Sequence, residues 1–298
     1  MQRKLVVAMA SIGMLLGLVG ITSAVSQGRS SQQPPPTYLV ALGDSYAEGY
    51  QPGFVADDPT LHGFNDRVVQ LVASRHRLHL MNFGCGGATS ESMLHEIGCV
   101  APAQNAPSYA MTTQAASAAS FMRSHRGHIG LVTISIGFND FTHCVEQMSD
   151  VSCVEAALPS LKTNLKSLVT LLRSAAGPEV PMIGTSYPDV ALATWVATPR
   201  REDLARQSLS ASHTLINPTL AAAYASGDVS FVNVTEATGA FIPLSTMTTL
   251  APFGTIPQAV ANVCRLTWKC AIGDSHPNAA GYGAIAKLVA ARYLQLAP

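Results

Sequence analysis

The chain has a short apolar run, Tyr38-Leu39-Val40-Ala41-Leu42, that is followed directly by Gly43-Asp44-Ser45-Tyr46. An uninterrupted apolar run of this length is typical of a strand that is buried on both faces of a parallel sheet. Comparable runs at 78–83, 129–136, 180–184 and 229–234 predict four further strands.

Segments with helical spacing separate these runs. The clearest is Leu158 to Ala175, where apolar residues recur at positions 158, 161, 165, 168, 169 and 172. Other helices are predicted over 64–74, 112–123, 200–224 and 279–294. Strands that alternate with helices predict an α/β protein with a parallel sheet covered by helices on both faces.

The N-terminus has the pattern of an export signal. Arg3 and Lys4 precede an apolar run over 5–25, and Thr22 and Ala24 fit a cleavage site of small residues. We therefore predict a signal peptide over 1–26, although an uncleaved membrane anchor is the alternative because about 20 apolar residues can span a bilayer. Residues 27–37, rich in Ser, Gln and Pro, are predicted to be a linker before a single domain over 38–298.

The charge balance argues against a nucleic-acid partner, and the composition argues against a disordered chain. The chain has 18 basic residues (Lys and Arg) and 18 acidic residues (Asp and Glu). It has no basic run that would suggest a nucleic-acid surface. Charged residues make up only 12% of the chain, and 48% is hydrophobic, which excludes disorder of the whole chain. We expect a secreted monomer, attached to a membrane only if residues 5–25 are retained.

The cysteines support export, because all of them follow the predicted signal. An even number in an exported chain suggests disulfides, and six cysteines allow 15 pairings. Neighbours in sequence close the shortest loops, which favours 85–99, 144–153 and 264–270, formed by Cys85, Cys99, Cys144, Cys153, Cys264 and Cys270. The chain has no C-x-x-C motif or paired histidines at ligand spacing, so we expect no metal site.

Three polar or glycine-rich motifs follow predicted strands, at the sheet edge where ligands of α/β proteins bind, namely Gly43-Asp44-Ser45-Tyr46, the segment from Asn82 to Thr89, and Gly137-Phe138-Asn139-Asp140. A fourth, the segment from Asp274 to Pro277, comes just before the last predicted helix, and a His beside an Asp can act as an oriented general base. Taken singly, each is also explained by a turn or a helix N-cap, which favour Gly, Asp, Asn and Ser. Their common order along the chain is more informative.

With these four blocks in this order, the sequence resembles the SGNH hydrolases, also called the GDSL lipase/esterase family. The first block is GDSY, where the family commonly has GDSL. The resemblance implies a three-layer α/β/α sandwich with a central parallel sheet, of flavodoxin-like type, and no cofactor. It implies Ser45 as nucleophile, His276 as base, and an oxyanion hole formed by the backbone N–H groups of Ser45 and Gly87 and the side chain of Asn139.

The sequence departs from the family near the base. The family places its Asp three residues before the His, where this chain has Gly273, whereas Asp274 lies only two residues before His276. We predict Asp274 as the residue that orients His276. The Gly273 carbonyl and Asp189 are the alternatives.

The expected function is a secreted serine esterase or lipase that acts on a small-molecule, lipid or glycan ester. Two alternatives are a carbohydrate O-acetylesterase or acyltransferase, and a catalytically silent surface protein that uses the fold for binding. The apolar segment over 235–263 is interpreted either as a lid or acyl-pocket wall, or as a packed insertion.

Overall fold

The computed structural model describes residues 37–53, 63–146 and 151–297. Five parallel strands form its central sheet in the order β2-β1-β3-β4-β5. Their bounds are β1 Thr37–Gly43, β2 Leu78–Asn82, β3 Ile129–Ser135, β4 Met182–Thr185 and β5 Ser230–Val232. The predicted strands are therefore present, each within a few residues of its expected limits.

Helices cover both faces of this sheet. They are α1 Ser45–Glu48, α2 Phe64–Val72, α3 Ser90–His95, α4 Gln114–Ser124, α5 Thr142–Glu146, α6 Val151–Ala176, α7 Glu202–Ala211, α8 Asn217–Ala225, α9 Val234–Ala237, α10 Gln258–Leu266, α11 Lys269–Ile272 and α12 Ala279–Leu296. One core packs α4, α6 and α8 on the sheet, and a second core packs α2 and α12 on the opposite face. The predicted three-layer α/β/α sandwich is confirmed.

Strand β1 shows why an apolar run without alternation is needed at the centre of such a sheet. Val40 and Leu42 belong to the core under α4 and α6, whereas Leu39 and Ala41 belong to the core under α2 and α12. All four side chains are fully buried, because successive residues of a strand point to opposite faces. β1 is thus covered by helices on both faces, and it pairs with β2 along one edge and β3 along the other.

Two predicted helices differ from the structure in extent. The helix predicted from Leu158 begins earlier, at Val151, and includes Pro159. The helix predicted over 200–224 is interrupted by a π-helical turn at Ser212–Ile216, between α7 and α8. The apolar periodicity located both helices, but it could not show this local change in hydrogen bonding.

The segment over 235–263 is a packed insertion. After α9 it forms an antiparallel hairpin, β6 Met247–Leu250 with β7 Gly254–Pro257, and then α10. Ile256 and Val260 bury their side chains against Leu192 and Trp195 of a 3-10 helix at Val190–Trp195. The segment shares this core with the 3-10 helix, and Thr235 at its start also lines a cavity with Phe138.

Three disulfides join the cysteines that are neighbours in sequence, namely Cys85–Cys99, Cys144–Cys153 and Cys264–Cys270. The predicted signal peptide and most of the predicted linker, 1–36, lie outside the described residues. No helix in the described part of the chain is long and apolar enough to cross a membrane.

Candidate active site

The turn after β1 places Ser45 at the carboxyl edge of the sheet. Gly43 has φ of +143°, and a Cβ there would lie 1.9 Å from the Ser135 carbonyl oxygen of β3, so only glycine fits. The Asp44 carboxylate accepts a hydrogen bond of 2.9 Å from the Tyr46 amide and caps α1. Ser45 is therefore the first residue of α1, directly at the strand exit.

The structure brings Ser45, His276 and Asp274 into one hydrogen-bonded chain. His276 Nε2 lies 2.7 Å from Ser45 Oγ, and His276 Nδ1 lies 2.7 Å from Asp274 Oδ1. The hydroxyl donates to one ring nitrogen while the carboxylate accepts from the other, and this is the arrangement in which an imidazole can take a proton from a serine.

A tight turn explains how an Asp two residues before the His reaches its ring. Asp274 Oδ1 also accepts a hydrogen bond of 2.8 Å from the His276 backbone amide, which folds the carboxylate back over the following residues. The Gly273 carbonyl instead accepts a bond of 3.0 Å from Lys269 Nζ. Asp189 bonds Ser208 and Ser212, so neither alternative is the observed partner of His276 Nδ1.

Aromatic rings surround His276 and reduce its contact with water. The Tyr50 ring centroid lies 4.5 Å from that of His276, and the Tyr46 ring lies 5.7 Å away. Burial lowers the pKa of His276 below its usual 6.5, although the Asp274 carboxylate acts in the opposite direction. The ring is therefore neutral at neutral pH, as a proton acceptor must be.

The residues predicted to form an oxyanion hole lie on the turns after β1, β2 and β3, which are neighbouring strands of the sheet. Gly87 has φ of +79° and open space where a Cβ would lie. Asn139 Nδ2 donates one hydrogen bond of 2.9 Å to the Ala88 carbonyl, which leaves its second N–H available. The Ser45 N–H is at the first position of α1, where no intrahelical acceptor exists.

Asp140 joins these two turns. Its carboxylate accepts a hydrogen bond of 2.9 Å from the Ser90 amide and a second bond from the Ser90 hydroxyl. The turn that holds Asn139 is thereby connected to the start of α3, just after Gly87.

Buried polar groups behind Ser45 were not identified from the sequence. Tyr187 donates a hydrogen bond of 2.6 Å to Asp44, and burial raises the pKa of Asp44 to about 7. Gln114 Nε2 donates to the Gly43 and Phe83 carbonyls, at 2.8 and 2.5 Å. These contacts fix the strand exits, but they join residues far apart in sequence, so no local pattern could reveal them.

Among described residues, one group of His, Cys, Asp and Glu side chains is close enough to share an ion, namely His143 with Cys144 and Cys153. The two sulfur atoms of that group are bonded to each other, so they are not free thiolates.

The sequence matches the model of the GDSL-like Lipase/Acylhydrolase family over residues 41–284. Several solved structures share the fold. An extracellular lipase from Streptomyces rimosus is 19% identical, with 86% of this chain and 98% of that chain covered and a TM-score of 0.50.

Two further structures are similar to the same degree. An acetyl-xylooligosaccharide esterase from Geobacillus stearothermophilus, solved as a mutant, is 15% identical over 87% of this chain and 95% of its own, with a TM-score of 0.50. A lipase from a goat rumen metagenome is 14% identical, with 86% of this chain and 96% of that chain covered and a TM-score of 0.50. No protein of curated function matches this sequence. Because the family model covers most of the chain, including the turns that carry Ser45, Gly87 and Asn139, this protein belongs to the GDSL-like lipase/acylhydrolase family.

Proposed function

We propose that this protein is an exported serine esterase that hydrolyses carboxylic esters through an acyl-enzyme on Ser45. The observation that carries the proposal is the hydrogen-bonded chain from Ser45 Oγ through His276 to Asp274. His276 removes the hydroxyl proton as Ser45 attacks the ester carbonyl, and then returns it to the leaving alcohol. In the second half of the reaction, His276 takes a proton from water as the water attacks the acyl carbon, and then gives that proton to Ser45 Oγ as the bond between Oγ and the acyl carbon breaks and the carboxylic acid leaves.

The negative charge of each tetrahedral intermediate needs donors that are already in place. We assign this role to the N–H groups of Ser45 and Gly87 and to the free N–H of the Asn139 side chain. The bond from Asn139 to the Ala88 carbonyl holds the amide group in one orientation, so it does not have to reorganise during the reaction.

An apolar cavity lined by Phe138, the residue before Asn139, supports a short acyl group as the acid part of the substrate. The cavity has a volume of about 80 Å³. Phe138 and Phe141, which enclose Asn139 and Asp140 in sequence, line it together with Val154, Ala211 and Leu220. We therefore propose that acyl esters of a few carbons are better substrates than long-chain esters.

The proposal is tested by turnover of p-nitrophenyl acetate, butyrate and octanoate, together with labelling by a fluorophosphonate. The expected result is turnover that is highest for the shorter esters, with a single phosphonyl adduct on the tryptic peptide that contains Ser45. Acetylated xylan is assayed in parallel for the sugar-ester alternative. A folded protein that neither turns over these esters nor reacts with the phosphonate would exclude a serine esterase.

A larger side chain in the cavity is expected to change chain-length selectivity. Ala211→Leu fills part of the cavity, so kcat/KM for butyrate should fall about tenfold while that for acetate changes less than about twofold. The matched control is Ala156→Leu, at an exposed position of α6. An equal loss on both esters, or the same change in Ala156→Leu, would place the acyl group elsewhere.

Removing the side-chain donor of the oxyanion hole is expected to reduce kcat with little change in KM. Asn139→Ala should lower kcat by about 10²- to 10³-fold, because the donor stabilises charge that develops only in the transition state. Steady-state kinetics on p-nitrophenyl butyrate measure the effect. A rise in KM at constant kcat would instead indicate that Asn139 binds the ground state.

The pH dependence follows from the protonation of His276. Activity requires the neutral ring, and the pKa of that ring is lowered below 6.5, so kcat/KM should rise with pH and reach half its plateau below pH 6.5. In Asp274→Asn the carboxylate no longer raises the pKa, so the residual activity should reach half its plateau at a still lower pH. If kcat/KM of the parent reached half its plateau above pH 6.5, the pKa of His276 would not be lowered by burial.

A further inference from the structure

Glu48 carries a buried acid group that the proposed mechanism does not use. It is the last residue of α1, at the opposite end of that short helix from Ser45. Its Oε2 atom is buried and has no hydrogen-bond partner among the described residues. Burial of a carboxyl oxygen without a donor is unfavourable, and the cost is much larger for the ionised form than for the neutral acid. The fold thus keeps an unpaired carboxyl group close to the nucleophile.

The side chain of Glu48 packs against the turn that carries Gly87. A Cβ on Gly86 would lie 2.7 Å from Glu48 Oε2, and a Cβ on Gly84 would lie 2.4 Å from the Glu48 backbone nitrogen. Because neither position has a side chain, the turn and the end of α1 can approach each other closely. The carboxyl group therefore contacts the residue before Gly87, whose N–H group we assign to the oxyanion hole.

Hydrogen bonds hold this turn against Glu48. The Gly86 amide donates a hydrogen bond of 2.7 Å to the Ala101 carbonyl. The Ala88 amide donates one of 3.1 Å to the Cys85 carbonyl, and Cys85 also takes part in a disulfide. A charge on Glu48 would therefore act on the oxyanion hole at a fixed, short distance, where little water screens it.

The carboxyl group of Glu48 changes its charge near neutral pH. Burial raises its pKa from the ordinary 4.5 to about 7, because the ionised form loses its contact with water. The titratable groups that face it are Tyr109, in the loop before α4, and Tyr282 on α12. Burial raises the pKa of both hydroxyls, and a charge on Glu48 raises them further. Both tyrosines are therefore neutral while Glu48 titrates.

The charged groups described in this region do not neutralise a carboxylate at Glu48. Asp44, at the start of α1, is itself an acid whose pKa burial raises to about 7. Arg67 on α2 points toward α12, where a Cβ on Gly283 would lie 3.2 Å from its Nη1 atom. Glu96 lines a cavity beside the same turn, but it is exposed, so water and salt screen its charge. A carboxylate at Glu48 would remain uncompensated.

We propose that Glu48 must be protonated for full activity, because its carboxylate places a negative charge beside the oxyanion hole. This charge opposes the negative charge that develops on the substrate carbonyl oxygen as it accepts from the Gly87 N–H group. Glu48 does not touch the substrate and acts through the neighbouring turn. The inference rests on the proposed esterase function and adds an upper limit to the pH range in which it operates.

The test is the pH dependence of kcat/KM on p-nitrophenyl butyrate in the parent and in Glu48→Gln. Above the acid limb set by His276, the parent should lose about tenfold in kcat/KM as the pH rises through about 7. The amide of Glu48→Gln has nearly the same shape but does not ionise, so this decline should be absent. The ratio of variant to parent kcat/KM should therefore rise about tenfold between about pH 6 and about pH 8.5.

The matched control is Glu96→Gln, which removes an exposed carboxylate near the same turn. Its kcat/KM should decline with pH as that of the parent does. The protonation of Glu48 is also measured without turnover, from melting temperatures in a Ser45→Ala background. The folded state binds this proton more tightly than the unfolded chain, so stability relative to Glu48→Gln should fall as the pH rises from about 4.5 to about 7.

Three results would overturn the role of Glu48. They are a parent profile without an alkaline decline, a decline of equal size in Glu48→Gln, which would assign it to Asp44, and a melting difference that does not change with pH. A folded parent that turns over no ester at about pH 6 would overturn the esterase function and this inference together. That outcome is distinct from the other three, because they compare pH values and variants and do not depend on the parent rate at one pH.

Discussion

Ser45→Ala and His276→Ala are each expected to lower kcat on p-nitrophenyl butyrate by about 10⁴- to 10⁶-fold. Ser45 Oγ lies 2.7 Å from His276 Nε2, and loss of either atom removes the step in which the hydroxyl is deprotonated as it attacks. The two residues act as a unit, so the double variant should be little worse than either single one. Stopped or discontinuous assays at high enzyme concentration measure the residual rate.

Matched controls separate catalysis from folding. Ser124→Ala and His79→Ala change exposed residues of the same types away from the site and should retain the parent rate. Far-UV circular dichroism and the melting temperature should match the parent in all four variants. Retention of more than about one tenth of the parent kcat in Ser45→Ala would show that another group is the nucleophile.

Asp274→Asn is expected to lower kcat by about 10²- to 10⁴-fold with the loop geometry retained. One atom, Asp274 Oδ1, accepts from both the His276 amide and His276 Nδ1, so an Asn oxygen at that position preserves the turn and the contact with Nδ1. The NH2 group then replaces the other carboxylate oxygen, and the variant loses the negative charge that stabilises the imidazolium formed when His276 takes the proton of Ser45. The variant therefore isolates the electrostatic role of the carboxylate from its structural role.

The kcat of this variant is compared with that of Asp203→Asn, which changes an exposed carboxylate paired with Arg201. The comparison variant should have the parent kcat, since an exposed ion pair contributes little to stability or to a distant site. A loss of less than about tenfold in Asp274→Asn would mean that packing by Tyr46 and Tyr50, and not the carboxylate, orients the His276 ring.

The sequence predicted the parts of the molecule that depend on local patterns. Apolar runs identified the five strands, because a strand buried on both faces must be apolar throughout. Ser45, Gly87 and Asn139 follow the same logic, since residues just after parallel strands meet at one edge of the sheet. Asp274 and His276 precede α12 and were predicted from their pairing and from the family resemblance. The structure places Ser45, Asp274 and His276 together there, and their catalytic roles stay predictions.

Residues that act through long-range contacts could not be predicted in this way. Tyr187 reaches Asp44 across 143 positions of sequence, and Gln114 reaches Gly43 across 71. The segment over 235–263 was equally ambiguous, because its apolar residues fit a lid as well as a core. Its packing against Trp195 depends on the tertiary fold, which a single sequence does not encode in a recognisable local pattern.

The three disulfides have a consequence for how this protein responds to reduction. Cys85 lies two residues before Gly87, Cys144 five after Asn139, and Cys270 four before Asp274, whereas none of the cysteines lies within a strand of the sheet. Each closes a short loop, with sequence separations of 14, 9 and 6, so each restricts one segment of the proposed site and leaves the β-sheet core to packing alone. In a reducing compartment the segments next to Gly87, Asn139 and Asp274 would each lose a covalent restraint, so reduction would act directly on the geometry of the proposed site.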